Sequence, residues 1–489
     1  MHIIPEISGP FHKTLLLLGL CLCFGTAAHA QVATTPSEQM EHQHHPEGQA
    51  ITVEFPRFGR DQATDKGPLF SLDRALQTAQ ENNPTYRQAE AGIRAALGRA
   101  QQAGLYPSPT VGYAGDEIRG GETHGGKQGF FVEQTIVTGG KLGRAKAVMN
   151  QDVKLAEIEA EEQKLRVETA VKMAYYRVLA AQEMADSRAD VAHIAEQSVE
   201  TQKRLQNTGQ ADETEILAAE VEAQRMRLAA RMKENTLREE WRSLTAVIGQ
   251  PDLPLQTVTG DLEHGWPAID ELQAVESIAT QSPAVRIASA AGEHAKAELS
   301  RANREKIPDV VARGGLEYNH EQLNSIPQAT GWQFNAELGV ELPLFNRNQG
   351  NVSAARAEID RAEAEKRRIA LTLRERAATV VDQYANARLM IEQYRDNILP
   401  LAKKSYSLMN DRYGEMLASY PRVLEAKRKL YELQSEYISA LEGVWTTGLA
   451  LQGYLLTDGL EAPARPGEMD RAIRETNVPM PERTKSPND

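Results

Sequence analysis

A period of about 200 residues runs through this chain and constrains its fold more than any other feature. Asn83-Pro84, in LDRALQTAQENNPTYRQAEAG, has its counterpart in Ser282-Pro283, in VESIATQSPAVRIASAAG, with Pro283 standing 199 residues after Pro84. Pro109 and Pro308 keep that offset. Val132-Glu133 and Val340-Glu341 lie 208 apart, as do Arg166 and Arg374, Tyr176 and Tyr384, and Arg204 and Arg412. The offset therefore grows once, between Pro109 and Val132, where both copies are rich in Gly and polar residues. The second copy has the longer loop there.

Each copy predicts the same order of elements. A helix of about thirty residues comes first (Ser71 to Leu105, then Ile269 to Lys306). Two short strands follow, Thr110 to Ile118 and Gln128 to Val137 in the first copy, Val310 to Tyr318 and Trp332 to Leu342 in the second. A very long helix starts near Gly140 or Gln349, a turn near Gly209 or Gly414 reverses the chain, and a second helix returns to about Ile248 or Leu456. The expectation is a mainly helical α+β fold of two tandem repeats, each helix–strand–strand–long helix–helix. Residues 69–258 form repeat 1, 259–268 a linker and 269–457 repeat 2.

The ends read differently. Lys13, the apolar run Leu15 to Phe24 and the small-residue site Ala28-His29-Ala30 make residues 1–30 a secretory signal peptide. The run is too short to span a membrane as a mature helix. A lipobox would want a small residue before its cysteine, where Leu20 and Leu22 stand. Cys21 and Cys23 both fall inside the signal, so the mature chain has neither a disulfide nor a thiol. Residues 31–68 and 458–489 are polar and Pro-bearing, and are expected to be loosely ordered.

The strands and long helices carry the functional signal. From Trp332 to Leu342 the chain alternates: Trp332, Phe334, Ala336, Leu338, Val340 and Leu342 point one way, Gln333, Asn335, Glu337, Gly339 and Glu341 the other. Period two with one apolar face means a strand with one side against lipid or core, and its length suits a tilted bilayer crossing. A soluble half-buried sheet is the bland alternative. On the first long helix Val171, Ala174, Val178, Ala181, Ala185, Ala192, Ala195 and Val199 follow a 3–4 spacing that only Arg188 interrupts. On the second, Leu373, Ala377, Val380, Tyr384, Ala387, Ile391, Tyr394, Ile398, Leu401, Ser405 and Leu408 do so, a coiled-coil stripe in each case. Pro400 should bend the second helix. Four membrane-length strands cannot close a barrel, and open edges in lipid are not viable. If the strands cross a membrane, the chain must oligomerise, and a trimer supplies twelve.

With those segments in order, the chain resembles the TolC family of outer-membrane efflux proteins over roughly Leu69 to Leu460. ALQTAQENNP, GLYPSPTVGY, VEQTIVTGGKLGRAKA, VELPLFNRNQGNVSAARAEID, NILPLAKKSYSLMNDRYG and RVLEAKRKLYE carry the resemblance. In overall texture it is closest to the CzcC/CusC-like heavy-metal branch. The resemblance implies a homotrimer with a 12-stranded outer-membrane β-barrel, continued by a periplasmic α-helical coiled-coil barrel. It also implies a periplasmic adaptor (membrane fusion) protein and an inner-membrane pump of the RND type as partners, in a Gram-negative-type cell. The duct itself is passive and needs no cofactor.

Candidate residues follow. The helix-to-helix turns, with Gly209 leading to Glu215 and Arg412-Tyr413-Gly414 leading to Arg422 and Glu425, form the expected periplasmic gate and adaptor tip. Gly209 and Gly414 suit a tight reversal. The family pattern places acidic residues at the positions of Arg422 and Glu425. Glu425 fits and Arg422 does not, so an acidic ring is not transferred whole. Glu133, Glu337 and Glu341, on the polar side of their strands, would face a barrel lumen and tune its charge, against a plain reading as solvated side chains. His42, His44 and His45 form a cluster able to capture Zn, Cu or Ni, or are simply part of a polar leader. His124 lies in the loop between the first two strands.

The formal charge of −13 argues against a nucleic-acid partner. No G-x-S-x-G, H-E-x-x-H or phosphate loop is present, so no enzyme is indicated. The remaining readings are a drug-efflux or type I secretion duct of the same fold, and an exported structural coiled-coil protein.

Overall fold

The computed structural model describes residues 69–118, 126–207, 212–322, 329–414 and 417–462. The elements are α1 (Leu72–Asn82), α2 (Pro84–Ala103), β1 (Thr110–Asp116), β2 (Lys127–Ile136), α3 (Lys141–Asn207), α4 (Glu213–Val247), α5 (Glu271–Gln281), α6 (Pro283–Arg304), β3 (Val310–Gln322), β4 (Ala329–Val340), α7 (Gln349–Gln393), α8 (Leu399–Gly414) and α9 (Tyr420–Gln452). The protein is thus mainly helical, of α+β type. No helix among the described residues is long and apolar enough to cross a membrane.

The two helices expected at about thirty residues are each broken, at Asn83-Pro84 and Ser282-Pro283. Proline disfavours the helical region for the residue before it, and Asn83 and Ser282 are extended, with ψ of 121° and 150°. Each proline then takes the first position of a new helix, where its missing N–H costs nothing. Asn83 also ties the break to its surroundings. Its carboxamide oxygen caps α2 through Thr85 N–H at 2.9 Å, and its amide donates to Val247 O at 2.7 Å.

Helix α3 runs 67 residues without interruption, about 100 Å at 1.5 Å per residue. Its expected seam is buried from Val171 to Ala195, with Val199 half-buried. The second seam holds only as far as Ile398. Residues Tyr394–Ile398 form a π-helical turn in which Leu399 N–H donates five residues back, to Tyr394 O. Pro400 lies just beyond it and has no N–H for the Asp396 carbonyl. A π turn contains one extra residue, so the stripe moves on by one. Ala402, Tyr406 and Met409 are half-buried, while the expected Leu401, Ser405 and Leu408 are exposed, Leu401 by 68%. Helix α9 ends at Gln452, before the expected Leu456. Tyr454 and Leu455 there take left-handed conformations, with φ of 54° and 65°.

The core lies where α3, α7 and α9 meet the short helices and the segment between α4 and α5. Tyr175, Trp241, Leu244, Ile278, Ile369, Leu441 and Trp445 are buried in it, and Tyr176 stacks on Trp445 with ring centroids 3.6 Å apart. The α4–α5 segment is held by side chains reaching its backbone carbonyls. Trp241 Nε1 donates to Leu253 O and Trp445 Nε1 to Leu262 O, each at 3.0 Å. Tyr384 donates to Pro267 O at 2.7 Å, and the Tyr175 hydroxyl accepts from Thr259 N–H at 3.2 Å and shares its one proton between Thr259 O and, outside the segment, Phe70 O.

The four strands form one antiparallel sheet in the order β1-β2-β3-β4. β2 pairs with β3 from Lys127↔Asn319 to Ile136↔Val310, and β3 with β4 from Val310↔Val340 to Tyr318↔Trp332 and beyond. Strand β4 stops at Val340, two residues short of the expected Leu342, because its partner Val310 follows Pro308-Asp309 and Pro343 interrupts its own side. The sheet is anchored to the helices at its base. Asp309 accepts from Thr138 N–H and from Lys141 Nζ, each at 2.9 Å. Gly139 stands there with φ of 66°, and a Cβ on it would lie 2.7 Å from Ile307.

Tyr175→Phe removes a buried hydroxyl that shares its proton between two carbonyls and accepts from Thr259 N–H. It should lower the stability of the purified protein by about 1–2 kcal/mol, read as a fall in the thermal unfolding midpoint.

Candidate functional site: a two-faced sheet and two helical tips

Facing residues of an antiparallel pair share a face of the sheet, so the registers sort every strand side chain. One face carries Val111, Tyr113, Phe130, Val132, Ile136, Leu316, Tyr318, Trp332, Phe334, Leu338 and Val340. Nothing within the described chain covers it: Trp332, Phe334 and Leu338 are 67%, 75% and 77% exposed. The other face is polar, with Asp116 opposite Lys127 and with Glu317, Asn319, Gln333 and Asn335. β1 and β4 pair with a described strand on one side only. Such a sheet is suited to lie between an apolar medium and water, with two edges whose backbone groups still want partners.

Glu133 and Glu337 stand on the polar face in one cross-strand row, with Arg313 between them: Glu133↔Arg313 and Arg313↔Glu337. Glu341 lies one residue beyond β4 and is exposed. The structural counterpart of Glu133 is therefore Glu337, since β2 and β4 both end on Val310. Sequence reasoning missed Arg313 because β3 is too glycine-rich for its alternation to show. Counting in twos from Glu317 would have found it.

At the first tip α3 ends at Asn207, and Gly209 lies outside the described residues. Helix α4 is capped by Asp212, whose carboxylate accepts from the Thr214 hydroxyl and from Glu215 N–H at 2.8 Å. Those two bonds hold the Asp212 carboxyl below the usual carboxylate range. Glu215 is exposed beside it. At the second tip Arg412 and Gly414 close α8, Tyr413 is half-buried, and the Arg412 carbonyl accepts from Leu417 N–H at 2.8 Å. Arg422 and Glu425 are exposed on the first turns of α9, on either side of buried Val423. The first tip thus presents Asp212, Glu213 and Glu215, the second Arg412, Arg422 and Glu425. Higher up, Arg428 of α9 reaches Glu222 of α4 at 3.9 Å.

Farther along α3 a polar row repeats every seven residues: half-buried Asp152 and buried Glu159 and Arg166. His294 of α6 sits 3.2 Å from Asp152. Arg166 pairs with both Glu162 and Glu461, and Gln163 donates to Glu461 O at 3.1 Å. Residues 458–462, expected to be loosely ordered, are therefore docked against α3. Burial pushes the Glu159 carboxyl up to about 8, with the charges of Glu162 and Asp152 adding to it. Burial also raises the Glu162 carboxyl, against the pull of Arg166. Among the described residues no group of three or more His, Cys, Asp or Glu is placed to hold a metal ion. His42, His44, His45 and His124 lie outside the described residues.

The family model described as outer membrane efflux protein matches residues 75–250 and again 274–455. The chain belongs to that family, the TolC-type outer-membrane efflux channels, whose members are transporters and not enzymes. Within it the chain falls in the CzcC-like branch. It is 22% identical over 392 residues to the cobalt-zinc-cadmium resistance protein CzcC of Cupriavidus metallidurans, covering 80% of this chain and 90% of that one. Among solved structures it is similar in fold to CusC, with a TM-score of 0.63 at 17% identity over 78% of this chain and 91% of that one. It is also similar to the outer-membrane channel OprN, with a TM-score of 0.64 at 16% identity over 81% and 94%.

The Glu159 carboxyl gives a signed pH dependence. Its folded-state value of about 8 lies above its ordinary 4.5, so the folded state holds a proton that the unfolded chain has lost between those values. Its contribution is complete below pH 4.5 and is lost as pH rises towards 8. Glu159→Gln should melt with the wild type at pH 4 and several degrees above it at pH 8.

Proposed function

We propose that this protein is the exit duct of a tripartite efflux system, assembled as a homotrimer in the outer membrane of a Gram-negative-type bacterium. The observation that carries the proposal is the sheet, apolar and uncovered on one face and charged on the other, with both edges open. From Trp332 to Val340 the apolar face of β4 runs about 27 Å at ~3.4 Å per residue, close to the ~25 Å band of outer-membrane barrels. Tyr113 near one rim and the Tyr318–Trp332 ring pair, 5.5 Å apart, supply aromatic residues of the kind found at membrane interfaces. Three copies give twelve strands and leave no edge in lipid. The helices, which no lipid-length apolar run interrupts, continue the barrel as a periplasmic tube.

On this reading residues 1–30 are a cleaved signal, 69–258 and 269–457 are tandem repeats joined by a linker at 259–268, and 31–68 and 458–489 flank them. The tips, with Gly209, Glu215, Arg412, Tyr413, Gly414, Arg422 and Glu425, form the periplasmic gate and the contact with a periplasmic adaptor, which links the duct to an inner-membrane pump of the RND type. Glu133, Glu337 and Glu341 line the lumen. The cargo is heavy-metal cations, supported by the likeness to the cobalt-zinc-cadmium resistance protein. His42, His44 and His45 would capture such cations near the N-terminus.

Deleting the gene should lower tolerance to Co, Zn, Cd, Cu or Ni. Unchanged metal tolerance with lost drug tolerance removes the metal assignment. The mature protein should fractionate with the outer membrane and run as a trimer on unheated gels; recovery in the soluble fraction sinks the duct reading.

A further inference from the structure

The row Glu133–Arg313–Glu337 puts a guanidinium between two carboxylates on neighbouring strands, close enough for ion pairing across the ladder. The pairs do not form: among the described residues neither carboxylate has a cation within ion-pair distance. The Arg313 guanidinium instead lies over the ring of Phe131, 4.0 Å from its centroid. Phe131 is the one aromatic side chain on the polar face of β2, and its position is built into the sheet. It stands in register between Gly112 and Gly315. A Cβ on Gly112 would come within 2.6 Å of the Phe131 ring, so the ring occupies the space that a side chain there would fill. The missing side chain at Gly112 thus lets an aromatic ring lie along the polar face, and that ring draws the arginine along the strand, away from the two carboxylates.

We infer that Phe131 is a positioning residue for ion selectivity, parking Arg313 so that Glu133 and Glu337 stay unpaired and attract cations into the lumen. This rests on the trimeric duct reading, in which each chain adds two carboxylates to one ring. Like charges at one level of a narrow pore add their fields. An arginine released from Phe131 would fall back between them and quench that field with no change in formal charge.

Reversal potentials of the purified protein in planar bilayers under a potassium chloride gradient, repeated with zinc chloride, test this. The wild type should prefer cations. Glu133→Gln with Glu337→Gln should lose the preference, and Arg313→Gln should keep or raise it. Phe131→Leu should lower the cation-to-anion permeability ratio by about twofold or more, although no charge is altered, and Phe131→Tyr, which keeps the ring, should retain it. Trimer on unheated gels checks assembly of each variant. An unchanged ratio in a conducting Phe131→Leu trimer overturns the inference. Should that variant not assemble, a lowered ratio in Arg313→Gln overturns it instead. A wild-type protein that forms no conducting trimer overturns the duct reading.

Discussion

The ladder between β2 and β3 is the contact on which the rest depends. β2 ends the first half of the chain's strand pair and β3 begins the second, so their ten facing positions join segments about 180 residues apart in sequence. Both ladders of β3 start from Val310, one residue after Asp309, which holds Thr138 and Lys141 at the head of α3. Strand register and the starting point of the longest helix are therefore set together. A one-residue slip would turn Phe334 and Leu338 to the charged side and Glu337 to the apolar side.

Among the described residues nothing covers the apolar face of this sheet. A soluble sheet buries its apolar face on helices, and here the helices bury theirs on each other. The core around Tyr175, Trp241 and Trp445 is complete without the strands. The sheet's apolar face and open edges have no partner among the described residues; in the proposed trimer lipid and further copies of the chain would supply them. The family match is consistent with this division of labour between strands and helices.

Much of this was legible in the sequence. Period two in Trp332–Val340 and the doubled order of elements needed only local spacing, because strand and helix faces repeat at fixed intervals. Less legible was whatever depended on a partner distant in sequence. The breaks at Pro84 and Pro283 were visible as prolines, but their effect rests on the extended residue before each. Arg313 was hidden because its meaning comes from Glu133 and Glu337 across two ladders. Docking of Glu461 on Arg166 joins positions almost 300 residues apart. The seam beyond Ile398 was misplaced because a spacing rule assumes an unbroken α-helix, and the π turn inserts one residue.

That single residue also has a geometric consequence. Two halves with the same order of elements might be expected to fill equal places, so that three copies would make a wall of six identical staves. Helix α3 is unbroken, whereas the buried stripe of α7 moves on by one residue as it passes the π turn into α8. The staves therefore alternate, one unbroken and one re-phased. In the proposed trimer a tube built from them would have a threefold axis and no sixfold one, and a partner at its end would meet two kinds of groove in alternation.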